Sequence, residues 1–298
     1  MSNQLDLKTL QDAVNGTAAA FRCRLRLQPA GGEGDKVFPP TYAGAVYAVE
    51  ERRTKNEKGE WETTPCVLLD SVQSQANRLE EALQQAVDDG RFDGSPIPVI
   101  EVDFSGEALL DEIGTITSLT APHRAADAIL RDSLIADGDE KGTPFRKSSL
   151  GAKLDHASLS NATPLYEICP TALVFGIWDS TGPKGGLGAK FQRALVSEMV
   201  GVNASVAGLR RGVRRDPLEI RAAAKVIKSK DGYTLDIDGK SKNAVSPSEV
   251  NHSSIPFPKE RDRKTEKNYF DGVTIDYAEQ TTVLSLPALR RLRFPVNN

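Results

Sequence analysis

A glycine-rich loop at residues 182–188, accompanied by three basic side chains, is the stretch of this sequence best suited to bind phosphate. The apolar run at 173–178 before it predicts a buried strand, and the apolar residues between 191 and 199 recur at helical spacing. A glycine loop that leads into a helix offers unpaired backbone N–H groups to an anion and lets the backbone approach it closely. The candidate phosphate-binding residues are Lys184, Gly185, Gly186, Gly188, Lys190 and Arg193.

Two nucleotide-binding motifs do not fit this loop. This loop contains no Gly-Lys-Ser/Thr, as a P-loop requires, and Phe191 stands where a dinucleotide fingerprint needs its third glycine. If the loop binds phosphate, the sequence therefore favours the backbone of a polymer. The alternative is that the glycines only connect a core strand to a core helix.

No sequence motif predicts catalysis or a bound metal. The histidines His123, His156 and His252 are far apart and form no H-x-x-x-H or H-E-x-x-H pattern, and the elbow G-x-S-x-G is absent. Asp70 and Asp179 follow apolar runs, but each is explained as a helix cap or turn residue. We therefore predict no catalytic residue, no metal and no cofactor, with a histidine-dependent ribonuclease or a metal site assembled in space as the open alternative.

The charge of the chain is unevenly distributed along the sequence. Between Glu80 and Glu112 there are ten acidic residues and one basic residue, whereas the stretch 182–231 has eleven basic and four acidic residues, a net charge of +7. The overall charge of −3 thus hides one basic region, which is typical of a nucleic-acid groove. This region adds Arg210, Arg211, Arg214 and Arg215 to the candidate RNA-binding residues.

Alternation over residues 20–28 predicts a strand, with Phe21, Cys23, Leu25 and Leu27 on the core face. Its other face would carry Arg22, Arg24 and Arg26, which either bind RNA or are merely solvated.

Residues 71–88 form the clearest predicted helix, with Asp70 as its N-cap and Gln73 in a capping box. The outward surface of its first turns is polar but mostly uncharged, which suggests hydrogen bonding to a partner. Its candidate residues are Ser71, Gln73, Ser74, Asn77 and Arg78. A second helix, predicted from Pro122 through Leu134, adds Arg124.

The remaining sequence predicts a single domain over residues 1–298. Strands are expected at 46–53, 97–104 and 233–237, a protruding hairpin at 50–64, and a mobile polar segment at 239–270. The three cysteines are far apart and the N-terminus lacks a hydrophobic signal core, so we expect a cytoplasmic protein without membrane association.

Five stretches of the sequence closely resemble one protein family. They are KVFPPTYAG (36–44), LLDSVQSQANRLEEAL (68–83), APHRAADAILRDS (121–133), CPTALVFGIWDSTGPKGGLGAKFQRALVSEMVG (169–201) and LRRLRFP (289–295). The family is the RAMP-superfamily backbone subunit, of the Cas-seven group and Csb family, of the type I-G (formerly I-U) CRISPR Cascade complex.

The resemblance implies an α+β fold with a modified RRM-like, ferredoxin-like βαββαβ core and large insertions. It also implies a non-catalytic subunit, many copies of which line up in a helical filament along one CRISPR RNA and present it for pairing with target DNA. Further partners would be the guide-end-capping and large Cascade subunits and a recruited helicase-nuclease. Two alternatives within the superfamily are an endoribonuclease acting on CRISPR repeat RNA and a backbone subunit that cuts target RNA through a loop aspartate.

Overall fold

A computed structural model describes residues 5–43, 46–56, 58–92, 94–105, 113–182, 190–206, 224–237, 241–251 and 272–295. The fold is mixed α/β, built on a five-stranded antiparallel sheet in the order β1–β16–β11–β6–β5. These strands are β1 (Ala20–Leu27), β5 (Val49–Lys55), β6 (Trp61–Asp70), β11 (Leu195–Val202) and β16 (Tyr277–Ser285).

Short strands and helices surround this sheet. The short strands are β2 (Lys36–Val37), β3 (Thr41–Tyr42), β4 (Val46–Tyr47), β7 (Glu101–Asp103), β8 (Thr115–Thr117), β9 (Ile177–Trp178), β10 (Lys190–Phe191), β12 (Ser205–Val206), β13 (Val226–Ser229), β14 (Gly232–Leu235) and β15 (Val273–Thr274). The helices are α1 (Leu7–Asn15), α2 (Val72–Asp88), α3 (Ala128–Arg131), α4 (Ser149–Asp155), α5 (Thr163–Ile168), α6 (Thr171–Phe175) and α7 (Leu286–Arg290), with 3₁₀ turns at Arg124–Ala126, Phe145–Lys147 and Pro247–Val250.

The long helix α2 packs against the centre of the sheet through polar contacts. The side-chain oxygen of Gln75 accepts hydrogen bonds from Ser197 Oγ at 2.8 Å and from Gln280 Nε2 at 2.7 Å. Gln75 and Ser197 are both buried, so these bonds satisfy groups that water cannot reach. They fix α2 at one height on β11 and β16.

The first strand forms where its alternation predicts it, but its apolar face is not in the core. Leu25 is 47% exposed and Leu27 is 39% exposed, because β1 is an edge strand and α2 packs over β11. Cys23 pairs with Thr282, which in turn pairs with Ser197 beneath α2. Since directly paired residues share a face of the sheet, the three arginines of β1 lie on the face opposite α2.

The strand–loop–helix unit predicted around the glycine loop is wrong on both sides. Residues 171–175 are helix α6, followed by the two-residue strand β9, and the predicted helix after the loop is β10 and β11. β11 is a central strand that pairs with β16 and β6, and its apolar residues do not follow a period of two. From Lys190 on, the described residues after the loop are strands and offer no helix N-terminus for phosphate.

The helix predicted from Pro122 through Leu134 is also wrong as a continuous element. Arg124 adopts a left-handed backbone conformation with φ of 53°, and the 3₁₀ turn it begins ends at Asp127. Asp127 then caps the short helix α3 by accepting a hydrogen bond from the backbone N–H of Ile129. The backbone that turns at Arg124 directs this residue inward, away from solvent.

Other predicted elements are found in shorter form. β7 lies within the strand predicted at 97–104, and β14 overlaps the strand predicted at 233–237. β5 and β6 pair as an antiparallel hairpin where one was predicted at 50–64, with Val49–Lys55 opposite Trp61–Val67. Of the polar segment 239–270, only 241–251 lie within the described residues, and they include a 3₁₀ turn.

Two apolar cores support these elements. One packs α5, α6 and β10 together through Leu165, Cys169, Leu173 and Phe191. The other lies beside the main sheet and contains Val67, Val273, Ile275 and Ala278. Within the described ranges, no helix has the length and apolarity to span a bilayer.

Candidate nucleic-acid interface

A groove of about 480 Å³ opens between the first turns of α2, the 3₁₀ turn at Arg124 and the β9–β10 pair. Residues from three of the five sequence regions singled out for RNA binding meet there. Five candidate residues line this groove: Gln73, Asn77, Arg124, Lys190 and Arg193.

The first turns of α2 line one side of the groove with two amide side chains, those of Gln73 and Asn77. The helix begins one residue later than predicted: Ser71 is the N-cap, and its Oγ accepts a hydrogen bond from Ser74 N at 3.3 Å. Asp70 instead ends β6 and forms an ion pair with Arg78 Nε at 2.9 Å. Gln73 and Asn77 are one turn apart on the same side of α2, so both amides face the groove.

Arg124 is held at the floor of the groove by a buried carboxylate. Its Nε donates to Glu80 Oε1 at 2.6 Å, its Nη2 donates to the other Glu80 oxygen, and its Nη1 donates to the carbonyl of Gly176 at 3.0 Å. Both side chains are almost fully buried. Burial raises the pKa of Glu80, and the hydrogen bonds and charge of Arg124 together with the charge of Arg193 oppose that rise.

Gly176 allows the backbone of residues 191–193 to pass close to it at the groove wall. Its φ of 81° lies in the region that glycine favours, and a Cβ at this position would stand 2.9 Å from the backbone nitrogen of Arg193. A side chain there would push residues 191–193 away from Gly176. The close approach brings Arg193 beside the Arg124–Glu80 pair.

Arg193 carries the charge that the groove does not balance. Its Nε is buried and has no hydrogen-bond partner among the residues described. Burial, together with the nearby charge of Arg124, lowers the pKa of Arg193, while Glu80 opposes this. An arginine nevertheless stays protonated in proteins, and Arg193 lines the groove, so its guanidinium brings a full positive charge there while its Nε is buried.

Lys190 and Trp178 form the outer wall. They pair across the β9–β10 ladder, and Lys190 Nζ lies 5.3 Å from the centre of the Trp178 ring. Trp178 is 56% exposed. The apolar run at 173–178 predicted that Trp178 lies in a buried strand, and its position at the groove was not predicted. The signal available was its position at the end of the apolar run, directly before the glycine loop.

The groove therefore contains three cations against one carboxylate. Arg124 is neutralised by Glu80, which leaves Arg193 and Lys190 to attract an anion. His123 lies exposed at the same groove. This combination has the charges and donors that charge-assisted hydrogen bonds to a phosphate require, with neutral amides close by.

Other candidate residues lie elsewhere. Arg24 pairs with Glu279 and Arg26 lies over the ring of Tyr277 at 4.3 Å, both on the sheet face opposite α2, as does Arg22. Ser71, Ser74 and Arg78 belong to the first turns of α2 but do not line the groove. Eight candidates fall outside the described residues: Lys184, Gly185, Gly186, Gly188, Arg210, Arg211, Arg214 and Arg215.

Of the two other histidines, His156 ends α4, where its Nδ1 lies 2.7 Å from the carbonyl of Ala152, and His252 is outside the described residues. No cluster of three or more histidine, cysteine or acidic side chains suited to a metal ion occurs within the described ranges.

Comparison with known proteins identifies the family. The model of the family described as CRISPR-associated protein GSU0053 matches residues 21–206, which is more than half of the chain. The chain belongs to this CRISPR-associated family. The match spans every residue that lines the groove. No curated protein matches the chain.

Membership of the GSU0053 family confirms the predicted CRISPR association and supports a role in CRISPR defence. The subtype, the backbone-subunit assignment and the RRM-like core stay predictions.

Proposed function

We propose that this member of the GSU0053 family is a non-catalytic CRISPR RNA-binding backbone subunit of a type I-G Cascade complex. Copies of it, with an RRM-like RAMP core, would multimerise along the guide and present it for pairing with target DNA. The observation that carries the proposal is the unbalanced positive charge of Arg193 and Lys190 in a groove also lined by the amides of Gln73 and Asn77. Such a site contacts a nucleic-acid backbone without selecting its sequence.

The salt dependence of binding tests this proposal. For single-stranded RNA, each phosphate contact contributes about 0.7 to the slope of log affinity against log salt. We expect K190A/R193A to lower the slope by up to about 1.4 and to weaken binding to unrelated sequences equally.

The matched control is Lys153→Ala, since Lys153 is an exposed cation of α4 that does not line the groove. If wild-type protein binds no guide RNA, the proposal is wrong. If the folded double variant keeps the wild-type slope, this groove is not the RNA site.

A second candidate function is an endoribonuclease of the same superfamily, favoured by one observation: His123 lines the groove beside Arg124, Lys190 and Arg193. A histidine that accepts the 2′-hydroxyl proton would let that oxygen attack the phosphorus, and cations would stabilise the pentavalent phosphate. The P–O5′ bond then breaks, and the 5′-oxygen leaves as a hydroxyl with a proton returned by the histidine or taken from water. Incubation of repeat RNA with the purified protein distinguishes the two. Products ending in a 2′,3′-cyclic phosphate that disappear with His123→Asn would favour the enzyme, and intact RNA favours the binding subunit.

A further inference from the structure

Trp178 is unusual for a groove whose other features suit phosphate. More than half of its surface is exposed, although an indole is large, apolar and normally well buried. Its ring stands at the groove wall with Lys190 Nζ over it, 5.3 Å from the ring centre, and Gly176 brings the neighbouring backbone of Arg193 close. A flat aromatic surface and an unpaired arginine therefore line one open space.

These features match the two parts of a nucleotide. A base has a flat π-face that stacks on an indole, and its phosphate is an anion that pairs with a guanidinium. Gln73 and Asn77, which supply both donors and acceptors, line the same groove. The volume of about 480 Å³ falls within the range of small-molecule sites, which is room for one nucleotide.

We propose that the groove takes a single unstacked nucleotide of single-stranded RNA, with its base on Trp178 and its phosphate on Arg193. This inference rests on the proposed RNA-binding function and names the form in which the RNA enters the site. Because every base has a π-face, the pocket accepts any of the four bases. The nucleotide it holds is removed from stacking with its neighbours on the strand.

The chain provides a matched control for stacking. Trp61 is the only other tryptophan; it is 59% exposed and also lies near cations, Arg53 at 5.4 Å and Lys55 at 5.3 Å. It begins β6 and does not line the groove. In a Trp61→Phe background, fluorescence excited selectively in the tryptophan band, where the six tyrosines absorb little, therefore reports on Trp178 alone.

The experiment titrates this background with an eight-residue oligo(U) and with an abasic RNA of the same length. We expect oligo(U) to quench Trp178 fluorescence and the abasic RNA to leave it unchanged. Trp178→Ala should weaken oligo(U) binding by roughly 5- to 150-fold, the range for loss of one stacked base. Trp178→Phe should retain most of the affinity, and Trp61→Ala should have no effect.

The salt slope separates stacking from charge. Trp178→Ala should lower affinity with an unchanged slope, whereas Arg193→Gln should lower the slope by about 0.7. RNA binding without quenching, and with equal affinity in Trp178→Ala, would overturn the nucleotide pocket while the proposed function stands. Failure of the folded wild type to bind any RNA would overturn both.

Discussion

Arg124 and Glu80 form a bidentate ion pair in the interior of the protein, between α2 and the 3₁₀ turn beside it. They are separated by 44 residues in sequence, and Nε of the arginine lies 2.6 Å from Oε1 of the glutamate. The pair joins α2 to the turn at the floor of the groove. Glu80 neutralises the charge of Arg124. The Nε of Arg193, in contrast, has no hydrogen-bond partner among the described residues.

Glu80→Ala should be strongly destabilising. Removing the carboxylate leaves the guanidinium of Arg124 charged and out of water, a change that costs about 3–5 kcal/mol for buried pairs. Urea denaturation of the two proteins would measure this loss. The control is Asp12→Ala, which breaks the solvent-exposed Lys8–Asp12 pair of α1 and should change stability by no more than about 0.5 kcal/mol. Equal effects of the two variants would show that the Arg124–Glu80 pair contributes nothing special to the fold.

Asp179 should make the protein sensitive to acid. Burial by itself would raise the pKa of Asp179, but hydrogen bonds from Arg146 and Thr181 outweigh it and lower the pKa below its ordinary value. The folded state then holds fewer protons than the unfolded state, so the stabilisation is present above the unfolded pKa of about 3.9 and is lost as the pH falls through the lower, folded value.

The measurement is the urea midpoint between pH 6 and pH 2.5. Asp179→Asn should reduce stability at pH 6 and flatten the fall in acid. Asp139→Asn, at an exposed carboxylate with no ion pair in the described part of the chain, should keep the wild-type profile. A wild-type profile in Asp179→Asn would show that the Arg146–Asp179 contact has no part in acid stability.

The sequence predicted elements whose periodicity is long and consistent. The alternation of residues 20–28 continues over several pleats and is found as β1. The helical repeat of 71–88 continues over several turns and is found as α2. The apolar run at 195–202 was predicted wrongly because its apolar residues do not alternate, and a short apolar run without a period of two resembles a helix. The prediction that one face of β1 is buried was wrong for a different reason, because the sequence does not show which strand lies at the edge of the sheet.

The sequence predicted which types of residue line the candidate site but not the contacts between them. Lys190, Arg193, Gln73 and Asn77 were selected because their types bind phosphate or amide partners, and the fold brings them together. Arg124 was selected as a free cation, yet Glu80 neutralises it, and a partner 44 residues away cannot be identified from local pattern. The role of Gln75 in anchoring α2 could not be predicted for the same reason, because its partners Ser197 and Gln280 lie in strands distant in sequence.

Asn77 and Arg78 are adjacent on α2 and should behave differently when replaced. Asn77 lines the groove, whereas Arg78 is exposed and pairs with Asp70 outside it. Asn77→Ala removes a hydrogen-bonding amide from the proposed RNA site, and loss of one such bond, worth about 0.5–1.5 kcal/mol, weakens binding by roughly 2- to 10-fold. Arg78→Ala should leave the affinity within about twofold at 0.15 M salt, where charges more than about 8 Å from the RNA are screened.

Both variants should keep the stability of the wild type within about 0.5 kcal/mol, as surface changes usually do, and thermal unfolding checks this before RNA binding is compared. With folding established, affinities for one guide RNA are measured side by side. A loss with Asn77→Ala alone places the RNA in the groove. A loss with Arg78→Ala and none with Asn77→Ala would instead place the RNA along the outer surface of α2, and the groove would no longer explain binding.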